Sequence, residues 1–251
     1  MKVIAACKVV PDDQDISVTS DGSLDYSHAK DIASVYDLNA IEAAAQLTAH
    51  EGSSAVVITA GPASIDDSKL KKNILARGID ELFMVADDAC ADMDARATAE
   101  ALVALTAQIG EYDLILCGDG SADNYAQQVD VQLAAKLDVP FVNGVTKIEA
   151  QGPTLLVERT LEDVVEIVEV PLPAVVSVSP DAALPRIPGM RDILSAGKKP
   201  MNVSRADAVA EASLETISCR APEQASRKLE ILDASTDGAI EQFAAALKAA
   251  L

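Results

Sequence analysis

The chain has 251 residues, enough for one large domain or two small ones with a sizeable core. Hydrophobic residues make up 49% of it, but aromatic residues make up only 3% and tryptophan is absent. A core must therefore be built from Ala, Val, Leu and Ile, as in helices packed on a parallel sheet. The formal net charge of −20 argues against a nucleic-acid or anionic-membrane surface, because phosphate contacts require clustered cations.

The sequence predicts neither membrane insertion nor a metal site. Apolar runs stay well short of the roughly 20 residues that span a bilayer, and the first residues lack a signal-peptide cleavage context, so we expect a cytoplasmic protein. The four cysteines, Cys7, Cys90, Cys117 and Cys219, form no C-x-x-C pair, so neither a zinc site nor a redox dithiol is indicated. We interpret Cys7 and Cys117, inside apolar runs, as buried small hydrophobic residues.

Strands and helices alternate in the first part of the chain. Four short apolar runs are typical of strands covered on both faces: Lys2–Cys7, Ala55–Ala60, Glu81–Ala86 and Asp113–Cys117. Helices are predicted at Tyr36–His50, from Ser64 to a stop at Gly78, at Asp94–Ile109 and at Tyr125–Leu137. Ser34-x-x-Asp37 and Ser64-x-x-Asp67 resemble capping boxes. This alternation predicts a doubly wound, mostly parallel α/β sheet with right-handed crossovers.

In the second part of the chain, predicted strands follow one another without helices between them. Four strands separated by few residues predict hairpins or an antiparallel extension: Val142–Ile148, Thr154–Arg159, Val164–Val170 and Ala174–Ser179. Prolines and glycines between Pro180 and Pro200 indicate an exposed loop or short helix. The remainder is polar and acidic until a final amphipathic helix, Ala239–Leu251. We predict an α/β nucleotide-binding domain with a hairpin extension at residues 1–200 and a C-terminal arm at residues 201–251.

The segment Asp113–Gln128, DLILCGDGSADNYAQQ, runs from an apolar strand through a Gly-rich turn into a helix. Small residues and the free N–H groups of a helix N-terminus favour an anionic phosphate. Gly118-x-Gly120-x-x-Asp123 places an acid where the dinucleotide fingerprint needs a third glycine, and the turn contains no base. Neither a Walker loop nor a standard Rossmann fingerprint is present. The hydrogen-bonding side chains exceed what a simple connector needs: Asp119, Ser121, Asp123, Asn124, Gln127 and Gln128.

Other strand ends are expected to meet this turn. In an open α/β sheet, ligands bind outside the carboxyl ends of the strands, at the point where the strand order reverses. The ends at Ala6-Cys7-Lys8, before Tyr36, at Ala60-Gly61-Pro62 and at Gly118 would then share one site. Small residues at Ala6 and Ala60 would leave room for a flat ring, although they also suit tight packing.

Catalytic chemistry finds little support in the sequence. His28 lies in a polar segment, His50 lies at a helix end, and Ser195 has no G-x-S-x-G around it, so no triad is predicted. An adenine-nucleotide α-hydrolase or a dehydrogenase would need S-G-G-x-D-S or a full G-x-G-x-x-G, and neither occurs. A universal-stress-type adenine-nucleotide sensor is a second alternative, although it would have no use for the hairpins or the arm.

The pattern Val157-x-Arg159-x-x-Glu162-Asp163-x-x-Glu166, followed by LPAVV at 172–176, resembles the beta-subunit signature of electron transfer flavoproteins. The likeness extends to VIAACKVVPD, the helix at 37–44, TAGPAS, LARGIDE and GDGSADNYAQQV. It is strongest to the Fix-type branch, which is associated with anaerobic acyl-CoA or carnitine metabolism and nitrogen fixation. The sequence does not show which acid pairs with Arg159.

The resemblance implies an electron carrier without bond-making chemistry of its own, in a heterodimer whose alpha subunit holds the redox-active FAD. The beta subunit of this family holds AMP, or a second FAD in bifurcating members, and serves acyl-CoA-type dehydrogenases or related flavoproteins. Nucleotide contacts carried over are Ala6, Ser34, Val35, Tyr36, Asp37, Ala60, Gly118, Asp119, Gly120, Ser121, Ala122, Asp123, Asn124, Tyr125, Ala126, Gln127, Gln128 and Val129. Met190 falls in the recognition loop for partner dehydrogenases, although it could equally pack on Ile187 or Ile193.

One departure from the family pattern concerns Asp130. AMP-type members have three acids followed by N-Q-T-G, and bifurcating members have D-G-D-T-A-Q-V-G-P, whereas this chain reads DNYAQQVD at 123–130. Asp130 adds a negative charge near the expected phosphate. Unless it turns away or is neutralised, repulsion would weaken phosphate binding. AMP, FAD and an empty site all stay open.

Overall fold

The continuous apolar runs form the parallel centre of a nine-stranded sheet in the computed structural model, which describes residues 1–223 and 229–250. The first elements are β1 (Lys2–Ala6), β2 (Val9–Pro11), β3 (Ser17–Val18), β4 (Leu24–Asp25), β5 (Asp31–Ala33), α1 (Val35–Leu47), β6 (Ser54–Gly61), α2 (Ser68–Leu75), β7 (Glu81–Ala86) and α3 (Ala95–Ile109). They are followed by β8 (Leu114–Gly118), α4 (Val129–Leu137), β9 (Phe141–Gln151), β10 (Thr154–Thr160), β11 (Val165–Pro171), β12 (Ala174–Val178), α5 (Met190–Ala196), β13 (Met201–Ser204) and α6 (Ala239–Ala250).

The sheet has the strand order β11-β10-β9-β12-β8-β1-β6-β7-β13. Every neighbouring pair from β9 to β13 in this order is parallel, and only β10 pairs antiparallel, with β9 and with β11. Strands β6 and β7 lie to one side of β1 and strands β8–β12 to the other, so the order reverses between β1 and β8, and β13 returns to the edge beside β7. The predicted doubly wound, mostly parallel sheet with an antiparallel extension is confirmed.

Helices cover both faces of the parallel strands, because side chains alternate between the faces along each strand. Leu114 and Leu116 of β8 belong to the cluster that contains buried residues of α1 and α2. Ile115 and Cys117 belong to the cluster that contains buried residues of α3 and α4. Cys7 and Cys117 are buried as predicted, and burial raises the pKa of both thiols.

Both predicted capping boxes are wrong. Ser34 is the N-cap residue of α1, but its side chain does not cap the helix, and the carboxylate of Asp37 in the first turn accepts hydrogen bonds from Lys8 and Gly118 instead. The second helix begins at Ser68 because the Asp67 carboxylate accepts hydrogen bonds from the first-turn N–H groups, whereas Ser64 lies in a separate 3-10 turn. The predicted start and end of α3 are confirmed, with Asp94 as its N-cap residue and Gly110 as its stop.

The prediction that a helix begins at Tyr125 is also wrong. Helix α4 begins only at Val129. Tyr125 and Gln127 have φ angles of +45° and +54°, in the left-handed region, so the chain cannot be helical there. Residues 119–128 therefore form a loop, called the 119–128 loop below.

The second part of the chain departs from its prediction in two places. The strand at Ala174–Val178 is not part of a hairpin, because β12 returns to lie parallel between β8 and β9 with all five residues buried. Residues 201–204, the start of the predicted arm, form the edge strand β13 beside β7. The final helix is present to Ala250. Residues 224–228 of the predicted arm and Leu251 lie outside the described residues.

Candidate functional site

A cavity of about 140 Å³, called the main cavity below, lies at the carboxyl ends of β1, β6 and β8. The strand order reverses between β1 and β8, which is where open α/β sheets bind ligands. The cavity is lined by Ala6, Cys7, Lys8, Asp37, Ala60, Met93, Asp94, Ala95, Thr98, Leu102, Cys117, Gly118, Asp119, Gly120, Ser121, Asn124, Ala126, Gln127, Gln128, Val129 and Asp130.

The structure divides the predicted nucleotide contacts into two groups. Ala6, Asp37, Ala60 and most of the segment from Gly118 to Val129 line the main cavity. The others, Ser34, Val35, Tyr36, Ala122, Asp123 and Tyr125, do not line it. Most of this second group supports the cavity from outside, through the contacts described below, whereas Val35 is half exposed.

Asp37 ties the two strands at the reversal point together. Its Oδ2 accepts a hydrogen bond of 2.7 Å from the Lys8 N–H, and its Oδ1 accepts one of 3.1 Å from the Gly118 N–H. Burial raises the pKa of Asp37 to about 7, although both hydrogen bonds oppose this shift. The first turn of α1 is therefore fixed to the ends of β1 and β8.

Gly118 is needed for this close approach. A Cβ atom at Gly118 would lie 2.7 Å from Asp37 Oδ1 and 2.7 Å from the carbonyl carbon of Tyr36. Real Cβ atoms essentially never come so near to backbone atoms. Only glycine therefore lets the end of β8 reach the carboxylate.

Lys8 supplies the base that the Gly-rich turn lacks. Its Nζ lies 2.5 Å from Asp123 Oδ2, its side chain is 41% exposed, and the residue lines the main cavity. Burial raises the pKa of Asp123, but hydrogen bonds from Lys8 and Ser121 outweigh it and hold that pKa below its ordinary value. The 119–128 loop is held further by the Ala122 N–H, which donates to Ser34 Oγ at 3.3 Å.

Tyr125 explains why α4 begins late. Its hydroxyl donates to Asp119 Oδ2 at 2.9 Å, and its ring lies 5.0 Å from the Tyr36 ring, between centroids. The ring lies directly on Gly120, where a Cβ atom would overlap it. These contacts hold the loop in a left-handed turn over the cavity and delay the helix.

Asp130 does not turn away from the site. It is 6% exposed and lines the main cavity, and its Oδ1 accepts a hydrogen bond of 2.9 Å from the Val131 N–H. Burial raises the pKa of Asp130, and the charge of Asp119 raises it further. Both effects oppose the charged form of Asp130, whereas the hydrogen bond from the Val131 N–H supports it.

The sequence reasoning missed one wall of the cavity, formed by Met93, Asp94, Ala95, Thr98 and Leu102 at the start of α3. A signal was present, because α3 follows β7 and must begin at the same carboxyl edge of the sheet as the other sites. Asp94 Oδ2 also accepts hydrogen bonds from the N–H groups of Ser213 and Leu214, at 2.6 and 3.1 Å. This wall therefore also holds part of the arm.

The structure identifies the partners of the signature arginine. Arg159 Nη1 donates to Glu166 at 2.9 Å, while Nε and Nη2 donate to the backbone and side-chain oxygens of Asn143, each at 2.7 Å. The guanidinium thus joins β11 to the start of β9. Glu166, rather than Glu162 or Asp163, is the acid that pairs with Arg159.

Met190 is the first residue of α5 and is 78% exposed, and neighbouring Ile187 is 94% exposed. The segment before it is held by α1. Asn39 donates to the carbonyl oxygens of Pro180 and Ala183, and the Arg186 guanidinium binds both carboxylate oxygens of Glu42 at 2.6 and 2.9 Å. Met190 is thus exposed to solvent, and the segment that precedes it is held in place by contacts with α1.

This arrangement defines a doubly wound α/β protein with a cavity at the carboxyl edge of its sheet, where open α/β sheets bind ligands. Residues 23–209 match the family model described as electron transfer flavoprotein domain, which is well over half of the chain. The chain therefore belongs to the electron transfer flavoprotein family, whose members are electron carriers rather than enzymes. Within residues 1–223 and 229–250, no helix has the length and hydrophobicity that crossing a membrane requires.

Proposed function

We propose that this chain is the beta subunit of a Fix-type electron transfer flavoprotein. With an alpha subunit that holds the redox-active FAD, it shuttles electrons between acyl-CoA-type or carnitine-related flavoprotein dehydrogenases and another redox partner. It makes and breaks no bonds itself and works in the cytoplasm. The family match supports the general class, and the signature at Val157–Val176 supports the beta subunit.

We further propose that the main cavity holds an adenine nucleotide, either AMP or the AMP half of a second FAD. The main support is that predicted nucleotide contacts from separate segments of the chain line one cavity, at the point where the strand order reverses. Ala6, Ala60 and Leu102 offer small or apolar surface to a ring. Lys8 and the N–H groups at the start of α4 offer positive charge to a phosphate.

The alpha subunit is proposed to bind the C-terminal arm, and the dehydrogenase is proposed to bind at Met190. In α6, the side chains of Ile240, Phe243 and Leu247 share one helical face and are 71%, 59% and 49% exposed. Burial of this face against a partner would remove apolar surface from water. We assign residues 1–200 together with the edge strand β13 to the nucleotide-binding unit with its recognition loop, and residues 205–251 to the arm.

Co-expression with an electron transfer flavoprotein alpha subunit tests the proposal. The expected product is a yellow complex in which the two chains co-purify at equal amounts and show flavin absorbance. A matched pair of variants separates specific docking from non-specific association. Phe243→Asp should weaken the complex, whereas Glu241→Gln on the same helix should not. A stable colourless chain that binds adenine nucleotide but no alpha subunit would instead support the sensor alternative.

A further inference from the structure

A second cavity of about 210 Å³, called the side cavity below, lies beside the main cavity. It is bounded by the N-terminus of α4, by β12 and by the start of β9. Asp119, Gln127 and Asp130 line both cavities, so the two spaces share a wall. Ser177, Asn143 and Phe141 line only the side cavity.

Ser177 is a polar residue on a buried, apolar face of β12. It is fully buried, and it lies on the face of β12 that α4 covers, where Val175 belongs to the apolar cluster. Its hydroxyl lies near enough to Asp130 to lower the pKa of that carboxyl, yet it forms no hydrogen bond of acceptable distance and angle. A buried hydroxyl without a partner costs stability, and at a cavity wall an ion or an ordered water can supply that partner.

The two carboxylates are also only partly used. Tyr125 donates to Oδ2 of Asp119, which leaves Oδ1 buried and without a hydrogen bond, and the Val131 N–H donates to Oδ1 of Asp130. In the part of the chain that the structure describes, no Lys, Arg or His nitrogen lies within 4 Å of either carboxylate. Two carboxylates without a cationic partner, in a chain of net charge −20, would be stabilised by a bound cation.

We propose that Asp119, Asp130 and Ser177 hold a hydrated Mg²⁺ ion in the side cavity, next to the phosphate of the nucleotide. The position beside a phosphate rests on the proposed nucleotide site, whereas the cation site itself rests on the side cavity alone. The ion would lie between the Asp130 carboxylate and the phosphate and would remove the repulsion between them.

The size and chemistry of the side cavity fit this ion. Mg²⁺ prefers oxygen ligands, retains several waters, and is commonly bound by one or two carboxylates together with phosphate. The side cavity, at about 210 Å³, has room for an ion together with several waters. Within the described residues, no group of three or more His, Cys, Asp or Glu side chains is placed to hold a metal, which disfavours a bare ion in an all-protein cage.

The test is a titration of the full-length chain with Mn²⁺, without nucleotide and at physiological salt, followed by the loss of the free-ion signal in electron paramagnetic resonance. The expected result is one saturable site from which Mg²⁺ displaces Mn²⁺. Asp130→Asn and Asp119→Asn should each weaken binding at least tenfold, and Ser177→Ala several-fold. The matched control is Asp181→Asn, an exposed acid outside both cavities, which should bind as wild type does.

Ser177→Ala keeps the test informative if a carboxylate variant fails to fold, because it removes only an unpaired hydroxyl. Water alone in the side cavity would give no saturable site, or a site that Ser177→Ala and Asp130→Asn leave unchanged, and either outcome overturns the inference. A second titration measures AMP affinity with and without MgCl₂, which should raise it at least threefold in wild type only. AMP binding without a Mn²⁺ site refutes the cation alone, and a Mn²⁺ site without AMP binding refutes the nucleotide proposal alone.

Discussion

The Asp37 carboxylate reaches the Gly118 N–H across the point where the strand order reverses, at 3.1 Å. Its other oxygen accepts a hydrogen bond from the Lys8 N–H. One buried side chain from α1 therefore joins the chain after β1 to the end of β8, two strands that already pair along their length. We expect the shape of the main cavity to depend on this carboxylate.

Asp37→Asn is the direct test of that dependence. The substituted amide has nearly the same shape but directs an NH₂ group at one of the two N–H donors, so one hydrogen bond is replaced by repulsion. We expect a loss of about 1–3 kcal/mol in the free energy of unfolding and a loss of bound nucleotide. Denaturant titration and chromatography of released nucleotide measure the two effects.

Asp113→Asn provides the matched control. Asp113 Oδ2 accepts a hydrogen bond of 2.7 Å from the Lys2 N–H at the opposite ends of the same two strands. This variant should lose stability but keep its nucleotide. Equal nucleotide loss in both variants would show that Asp37 acts only through global stability.

The pH dependence of stability should also change in the Asp37→Asn variant. In the folded chain the pKa of Asp37 is raised from its ordinary value of 3.8 to about 7. Protonation is therefore favoured by folding, and this contribution is complete below pH 3.8 and is lost as the pH rises through 7. The stability difference between wild type and variant should fall between pH 5 and 7 by up to about 1.4 kcal/mol per pH unit. A pH-independent difference would contradict the assignment.

Gly118→Ala should disrupt the contact from the other side. The new methyl group meets Asp37 Oδ1 and the Tyr36 backbone at 2.7 Å, so the backbone must shift, at a cost of about 1–3 kcal/mol. Gly197→Ala is the control, because Gly197 has helical dihedral angles and its nearest neighbours lie at 3.4 Å or more. Thermal unfolding should separate the two variants by several degrees, and equal melting temperatures would refute the steric argument.

Lys8→Met should weaken nucleotide binding more than stability. The ion pair of Lys8 with Asp123 is partly exposed, and such pairs contribute about 0–1 kcal/mol to folding. Among the described residues that line the main cavity, Lys8 is the one Lys, Arg or His, so its ammonium is proposed to bind the phosphate. We expect the nucleotide content to fall severalfold while the unfolding midpoint changes little, and Lys30→Met, which removes an exposed pair with Asp15, should keep full content.

The central sheet could be predicted from sequence because its strands are buried on both faces, which makes each of them a continuous apolar run. The same rule applies to β12, but its place directly after two antiparallel strands led to the wrong pairing. The short strand β13 has exposed residues and no apolar run, so only its contact with β7 reveals it.

Parts of the site could not be predicted from the sequence, because contacts between distant segments override the local helix signals. Ser34 and Asp37 have the spacing of a capping box, yet Asp37 binds backbone groups of two distant strands instead. Tyr125 belongs to a segment with helical periodicity, but its contacts with Asp119 and Tyr36 hold it at a positive φ. Neither partner can be inferred from spacing along the chain.

The most direct test of the central claim is the nucleotide content of the purified heterodimer, measured by denaturation and chromatography. We predict one adenine nucleotide per beta subunit in addition to the FAD of the alpha subunit: AMP in a simple carrier, or a second FAD in a bifurcating one. One FAD per heterodimer with no further nucleotide would show that the main cavity does not hold the proposed ligand, and would contradict the account.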